Sequence, residues 1–89
     1  SKLQRLAFYK FINLTDRLVR DITLVLKELR VLELGCCWNI TDNALYYLGV
    51  NLDLEYLSLE KCYGVTDAGL GNIVGVDAID GRIRKKGKS

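Results

Sequence analysis

The strongest constraint on this chain is that its pattern repeats. Leu29, Leu32, Leu34, Cys37, Ile40, Thr41, Asp42, Leu45 and Leu48 recur 25 residues later as Leu54, Leu57, Leu59, Cys62, Val65, Thr66, Asp67, Leu70 and Ile73. Shifted 26 residues upstream, the same frame holds Leu3, Leu6, Phe8, Phe11, Leu14, Thr15, Asp16, Val19 and Ile22. Three units, about 3–28, 29–53 and 54–78, therefore fill most of the chain. A unit this short cannot enclose its own apolar face, so each must bury it against the next.

The pattern inside a unit changes period along its length. Leu32-Glu33-Leu34 and Leu57-Ser58-Leu59 alternate with the period of two that buries one face of a short strand. Leu45, Leu48 and Leu52, and earlier Leu18, Ile22 and Leu26 with Val19 beside them, follow the spacing of one helical face. Thr15-Asp16, Thr41-Asp42 and Thr66-Asp67 fall just before the helical stretches. There a side-chain oxygen can accept a free backbone N–H, and a carboxylate suits the positive end of the helix; the pairs read as caps, not as catalytic acids. The sequence thus predicts parallel strands near 5–8, 31–34 and 56–59, each followed by a helix starting within two residues of its threonine. Gly69, Gly71 and Gly75 weaken the third helix, each by about 1 kcal/mol relative to alanine in a helix interior. Because the strand side of such a unit is narrower than its helix side, the expected stack curves. Its parallel sheet lies on a concave face and its helices on a convex one.

Composition and charge narrow the function. No stretch approaches the roughly 18 apolar residues of a membrane-spanning helix, since Lys27, Glu28, Arg30 and Glu33 interrupt the greasiest region. Ser1-Lys2-Leu3-Gln4-Arg5 opens the chain without an apolar leader, so the expected location is cytoplasmic or nuclear. With no histidine, the commonest general base and the usual partner of a serine or cysteine nucleophile are missing. Cys36, Cys37 and Cys62 lack the CxxC spacing of a zinc site and are odd in number, which speaks for reduced thiols. The expectation is a protein without enzymatic activity, cofactor or metal. Residues 1–81 hold 8 Lys+Arg against 11 Asp+Glu, whereas Arg82, Arg84, Lys85, Lys86 and Lys88 make 82–89 a basic tail. That tail reads as a solvated, disordered end rather than a nucleic-acid arm, and the ordered domain is taken as 1–81. Gly81 to Ser89 superficially resembles a phosphate-binding loop, but five residues rather than four separate Gly81 from Gly87.

The segments Leu32-Glu33-Leu34-Gly35-Cys36-Cys37-Trp38-Asn39-Ile40-Thr41-Asp42-Asn43-Ala44-Leu45 and Leu57-Ser58-Leu59-Glu60-Lys61-Cys62-Tyr63-Gly64-Val65-Thr66-Asp67-Ala68-Gly69-Leu70 closely resemble cysteine-containing leucine-rich repeats. They are similar to the repeats of F-box leucine-rich-repeat proteins and of the antagonist-of-mitotic-exit-network family. The resemblance covers 29–74 closely and 3–28 more loosely, with Phe11 in place of the cysteine. It implies an α/β leucine-rich-repeat solenoid of about three repeats that recognises other proteins. For the F-box members it implies substrate capture for an SCF ubiquitin ligase. The same repeats also resemble those of structural subunits in permanent assemblies such as axonemal complexes, which is the alternative.

In such a solenoid, strand residues pointing away from the core line the concave face. Arg5, Tyr9, Glu33, Tyr56, Ser58 and Glu60 are the candidate partner-binding residues, with Ala7, Lys10, Val31, Gly35, Cys36 and Lys61 beside them. Trp38 and Tyr63 occupy equivalent loop positions and form a candidate aromatic rim. Cys37 and Cys62 are expected buried as small apolar side chains, and Cys36 more exposed. Neither end carries a polar cap, so flanking repeats or subunits are expected there as further partners.

Overall fold

The computed structural model describes residues 2–71, 73, 76–79 and 82–85. Three strand–helix units come first: β1 (Arg5–Tyr9) and α1 (Asp16–Val25), β2 (Val31–Gly35) and α2 (Asp42–Asn51), β3 (Tyr56–Ser58) and α3 (Asp67–Leu70). Two further strands follow, β4 (Val76–Ile79) and β5 (Arg82–Lys85). The five strands among the described residues form one sheet in the order β1-β2-β3-β5-β4. The chain is an α/β protein in which β1, β2 and β3 run parallel, as the repeat predicts.

Repetition in sequence becomes repetition in hydrogen bonding. The carbonyl of Gln4 accepts from Arg30 N and Val31 N at 2.8 and 2.9 Å, and that of Arg30 accepts from Glu55 N and Tyr56 N at 2.7 and 3.1 Å. These bonds fix the register that sets Leu6 beside Leu32 and Leu32 beside Leu57. At the other strand end, Lys10 N donates to Gly35 O and Cys36 N to Glu60 O, at 2.8 and 2.9 Å. Lys10, Cys36 and Lys61, which hold the same place in their units, have φ of 56, 54 and 57°. The left-handed turn ends the alternation of each strand and directs the chain back across the core.

The core lies between sheet and helices. Leu32, Leu34 and Leu57 supply it from the strands, Leu14 and Ile40 from the loops, and Val19, Leu45 and Leu48 from the helices. Each buried leucine or isoleucine contributes on the order of 2 kcal/mol. Thr23 is a fully buried polar residue between the helices: its hydroxyl donates to Arg20 O at 2.7 Å and accepts from Asn51 Nδ2 at 2.9 Å, tying α1 to α2. Among the described residues no helix is long and apolar enough to cross a membrane.

All three helices start at the aspartate after the expected threonine, but the caps differ. The hydroxyl of Thr15 accepts from Leu18 N and that of Thr41 from Asn43 N, at 3.3 and 3.2 Å, while Thr66 makes no side-chain cap bond. Its hydroxyl is instead turned back toward the preceding unit, where it donates to Asp42. The glycine-weakened third helix is only four residues long.

The tail requires correction. A disordered end over 82–89 was expected, yet Arg82–Lys85 forms β5, antiparallel to both β3 and β4. The free edge of β3 explains this, because its unpaired N–H and C=O groups are a template for any extended segment that can reach it. Residues 86–89 lie outside the described residues. So do Asn72, Val74 and Gly75 within the third unit, and Gly75 is one of the glycines expected to weaken its helix.

Candidate partner-binding face

The sheet face turned away from the helices carries the odd members of β1 and β2 and the even members of β3. Register aligns them in rows: Arg5 beside Val31 beside Tyr56, then Ala7 beside Glu33 beside Ser58, then Tyr9 beside Gly35. The second and third rows, with Glu60 just beyond β3, enclose an open groove of about 300 Å³ lined by Ala7, Phe8, Tyr9, Glu33, Gly35, Ser58 and Glu60.

Its shape follows from residue size. Gly35 has no side chain, and the Tyr9 ring lies across the space: a Cβ placed on Gly35 would sit 2.7 Å from Tyr9 Cδ1. Ala7 leaves the next position low, so Tyr9 stands as a wall, 70% exposed, with Lys10 Nζ 5.5 Å from its ring centroid. Glu33 and Glu60 are exposed carboxylates. Ser58 is only 7% exposed although it lines the groove, because β3 is an interior strand with β2 on one side and β5 on the other.

Four of the six expected face residues, Tyr9, Glu33, Ser58 and Glu60, therefore meet in one place. Arg5 and Tyr56 lie on the same face, a row away, and do not line the groove. Trp38 and Tyr63 are exposed on the loops, 50% and 75%, and are not part of its lining. Phe8 is the lining residue that alternation conceals, since it also packs against the core. A glycine inside a strand pattern, here Gly35, was the available sign of a close approach.

The thiols lie behind this face. Cys37 and Cys62 are buried, with Cys62 Sγ donating to Leu34 O of the preceding unit at 3.1 Å and Cys37 Sγ donating to Gly35 O at 3.5 Å. Burial pushes the Cys62 thiol up to about 11 and raises Cys37 as well. Cys36, expected to be more exposed, is 4% exposed. It follows Gly35 in the alternation of β2, so its even position falls on the core side with Leu32 and Leu34 rather than on the open face. Among the described residues no group of three or more His, Cys, Asp or Glu side chains could hold a metal ion. No family model matches the chain, and no significant match to a curated protein was found.

Proposed function

We propose that this chain is part of a leucine-rich-repeat solenoid of the cysteine-containing type, a protein-interaction module whose concave face holds a partner protein. The observation that carries the proposal is the groove in which Tyr9, Glu33, Ser58 and Glu60 converge on a sheet face free of helices. Aromatic, charged and hydrogen-bonding groups around a low floor can engage a side chain without any covalent chemistry. The resemblance of 32–45 and 57–70 to F-box repeats makes substrate recognition for an SCF-type ubiquitin ligase the leading assignment. In that reading the chain is non-enzymatic and needs no cofactor, and it works in cytoplasm or nucleus.

A second reading, a structural subunit held in a permanent assembly, is favoured by the first unit. Among the described residues no strand pairs with the outer edge of β1, and Leu3, Ile12, Leu24 and Val25 of the same unit are exposed. An open strand edge and exposed apolar side chains are both features that neighbouring repeats or subunits cover. Affinity purification of the native, full-length product separates the two. Recovery of ligase adaptor and cullin subunits supports the first, and stoichiometric recovery of filament proteins supports the second. Loss of the recovered partner on Ala7→Trp, which fills the groove, is expected under the first reading; retention would refute binding through this face.

A further inference from the structure

The two boundaries between units are built from the same contacts, and the outer face of the first unit carries one half of that set. Granting that the chain is part of a solenoid, we propose that this face seats one further strand–helix unit, stacked ahead of β1. The helix of that unit opens on an aspartate, which takes Thr15 as Asp16 takes Thr41.

At both boundaries the later unit supplies donors and the earlier one acceptors. Thr41 gives its backbone N–H and its hydroxyl to Asp16, and Thr66 gives the same pair to Asp42. Arg30 N and Val31 N donate to Gln4 O, and Glu55 N and Tyr56 N to Arg30 O. The Asn39 amide donates to Ile12 O in the loop of the unit before it. In the first unit these donor positions are held by Thr15, Gln4, Arg5 and Asn13. The Thr15 hydroxyl accepts from Leu18 N, but among the described residues neither its proton nor the Thr15 N–H reaches an acceptor, and nor does the Asn13 amide. Gln4 and Arg5 stand at the edge of β1 with which no described strand pairs.

Packing stops at the same place. Leu3 is 43% exposed, whereas Leu29 and Leu54, at the same position of their units, are 0% and 5% exposed. Phe8 and Phe11 are half-buried where Leu34 and Cys37 are buried. The core therefore runs through both inner boundaries and is open at the first unit. A bound anion would meet the donors and leave the leucine in water; another unit meets both.

A second copy of this chain does not fit that description. It would have to present its third unit, and there the β3 edge beside Asp67 is already paired with β5. The occupant brings a strand with a free edge, parallel to β1, and a carboxylate in the first turn of its helix.

The test places a copy of residues 29–53 directly before Leu3 of the full chain, in place of Ser1 and Lys2. The copy's Asp42 then stands as far ahead of Thr15 as Asp42 stands ahead of Thr66. Amide exchange at Gln4, Arg5 and Thr15 is expected to slow about tenfold or more relative to the chain alone, with a higher melting temperature. Asp42→Ala in the copy should return Thr15 to fast exchange while Gln4 and Arg5 stay protected. Thr15→Val should lower the melting temperature more in the fusion than in the chain alone. Two copies in tandem, of which the one next to Leu3 is itself flanked, guard against failure of a lone terminal copy to fold. If the native partner is lost on Ala7→Trp while Thr15 stays unprotected in both fusions, the docking proposal fails and binding through the concave face stands. Protection of Thr15 that survives Asp42→Ala in the copy would overturn the proposal. So would protection of Gln4, Arg5 and Thr15 that grows with the concentration of the unfused chain, because the occupant would then be a second copy. An unrelated strand-forming peptide that slows Gln4 and Arg5 as much as the added unit would also overturn it, making the edge a site for any extended segment.

Discussion

The Asp16 carboxylate is bound by Thr41, which donates both its backbone N–H and its hydroxyl, at 2.7 and 2.6 Å, across the boundary between two units. Asp42 receives the same pair from Thr66, at 2.7 and 2.5 Å. Each aspartate thus sits in the first turn of its own helix and clamps the start of the next. The Thr-Asp dipeptide is both a helix start and an inter-unit fastener.

That clamp gives stability a pH dependence. The hydrogen bonds from Thr66 hold the Asp42 carboxyl below its ordinary 3.8, so folding favours the ionised form. The contribution is fully present above 3.8 and is lost as pH falls through the lowered folded value. Thermal melts between pH 6 and 2.5 should show destabilisation on acidification that is smaller in Asp42→Asn. An identical acid limb in the variant would show that Asp42 does not contribute.

Gly69 is read from sequence as a weakness of the third helix, and the structure gives a reason for it. A Cβ at this position would overlap the Asp42 carboxylate, which the Thr66 bonds hold in place. Helix propensity alone predicts that Gly69→Ala stabilises by about 1 kcal/mol. Overlap with a fixed group should reverse the sign, to a loss of about 1–3 kcal/mol. In an Asp42→Ala background, which removes the carboxylate but leaves a Cβ 2.8 Å from the new one, the same substitution should cost less than in the parent chain. A double-mutant cycle by urea unfolding measures this directly, and additivity would disprove the steric coupling.

Lys61 holds a left-handed φ of 57° without being glycine. Such a conformation costs an ordinary residue about 1 kcal/mol or more, and Lys61 is exposed, so little packing depends on its side chain. Lys61→Gly is expected to raise the melting temperature by several degrees, about 4–8 °C per kcal/mol for a domain of this size. An unchanged or lower melting point would show that the entropy glycine adds to the unfolded chain outweighs the relieved strain.

Thiol chemistry provides a further test. Cys62 is buried and its thiol is pushed up to about 11, so the reactive thiolate is scarce at neutral pH and shielded from reagents. Iodoacetamide at pH 8 should modify Cys62 only at the rate of unfolding, and denaturant should release full reactivity. The shift also lowers stability above pH 9.0, because the unfolded chain then loses its proton while the folded one keeps it until about 11. Rapid alkylation of the folded chain would mean that this position is open to solvent.

Strand and helix starts were legible because a change of period from two to three or four marks them in any unit. Three other features depend on partners that one unit's pattern does not display. The fastening role of Asp42 requires Thr66, 24 residues away. Burial of Cys36 was within reach of the alternation, which places it with Leu32 and Leu34, but the positive φ that turns the chain there, at a residue that is not glycine, was not. Ser58 is enclosed because β5 covers the edge of β3, and a segment containing Arg82, Arg84 and Lys85 reads by composition as a tail rather than as a strand. Convergence of Tyr9, Glu33, Ser58 and Glu60 followed from strand alternation. The separation of Arg5 and Tyr56 from the groove required the register.

The last prediction concerns where order is concentrated. The middle unit is flanked on both sides: β2 lies between β1 and β3, and Leu34, Ile40, Leu45 and Leu48 of this unit are almost completely buried. The third unit closes on a four-residue helix whose threonine makes no side-chain cap. Stacked units share stability between neighbours, so a unit with weak local structure opens at lower free energy than one held on both faces. Amide exchange of the chain at low concentration should therefore show slowest exchange in β2 and α2, and markedly faster exchange from Thr66 to Leu70. Adding repeats after the third unit should slow that exchange if the α3 side is completed by a neighbour. Uniform protection of α2 and α3 in a strict monomer would refute both the gradient and the need for a neighbour.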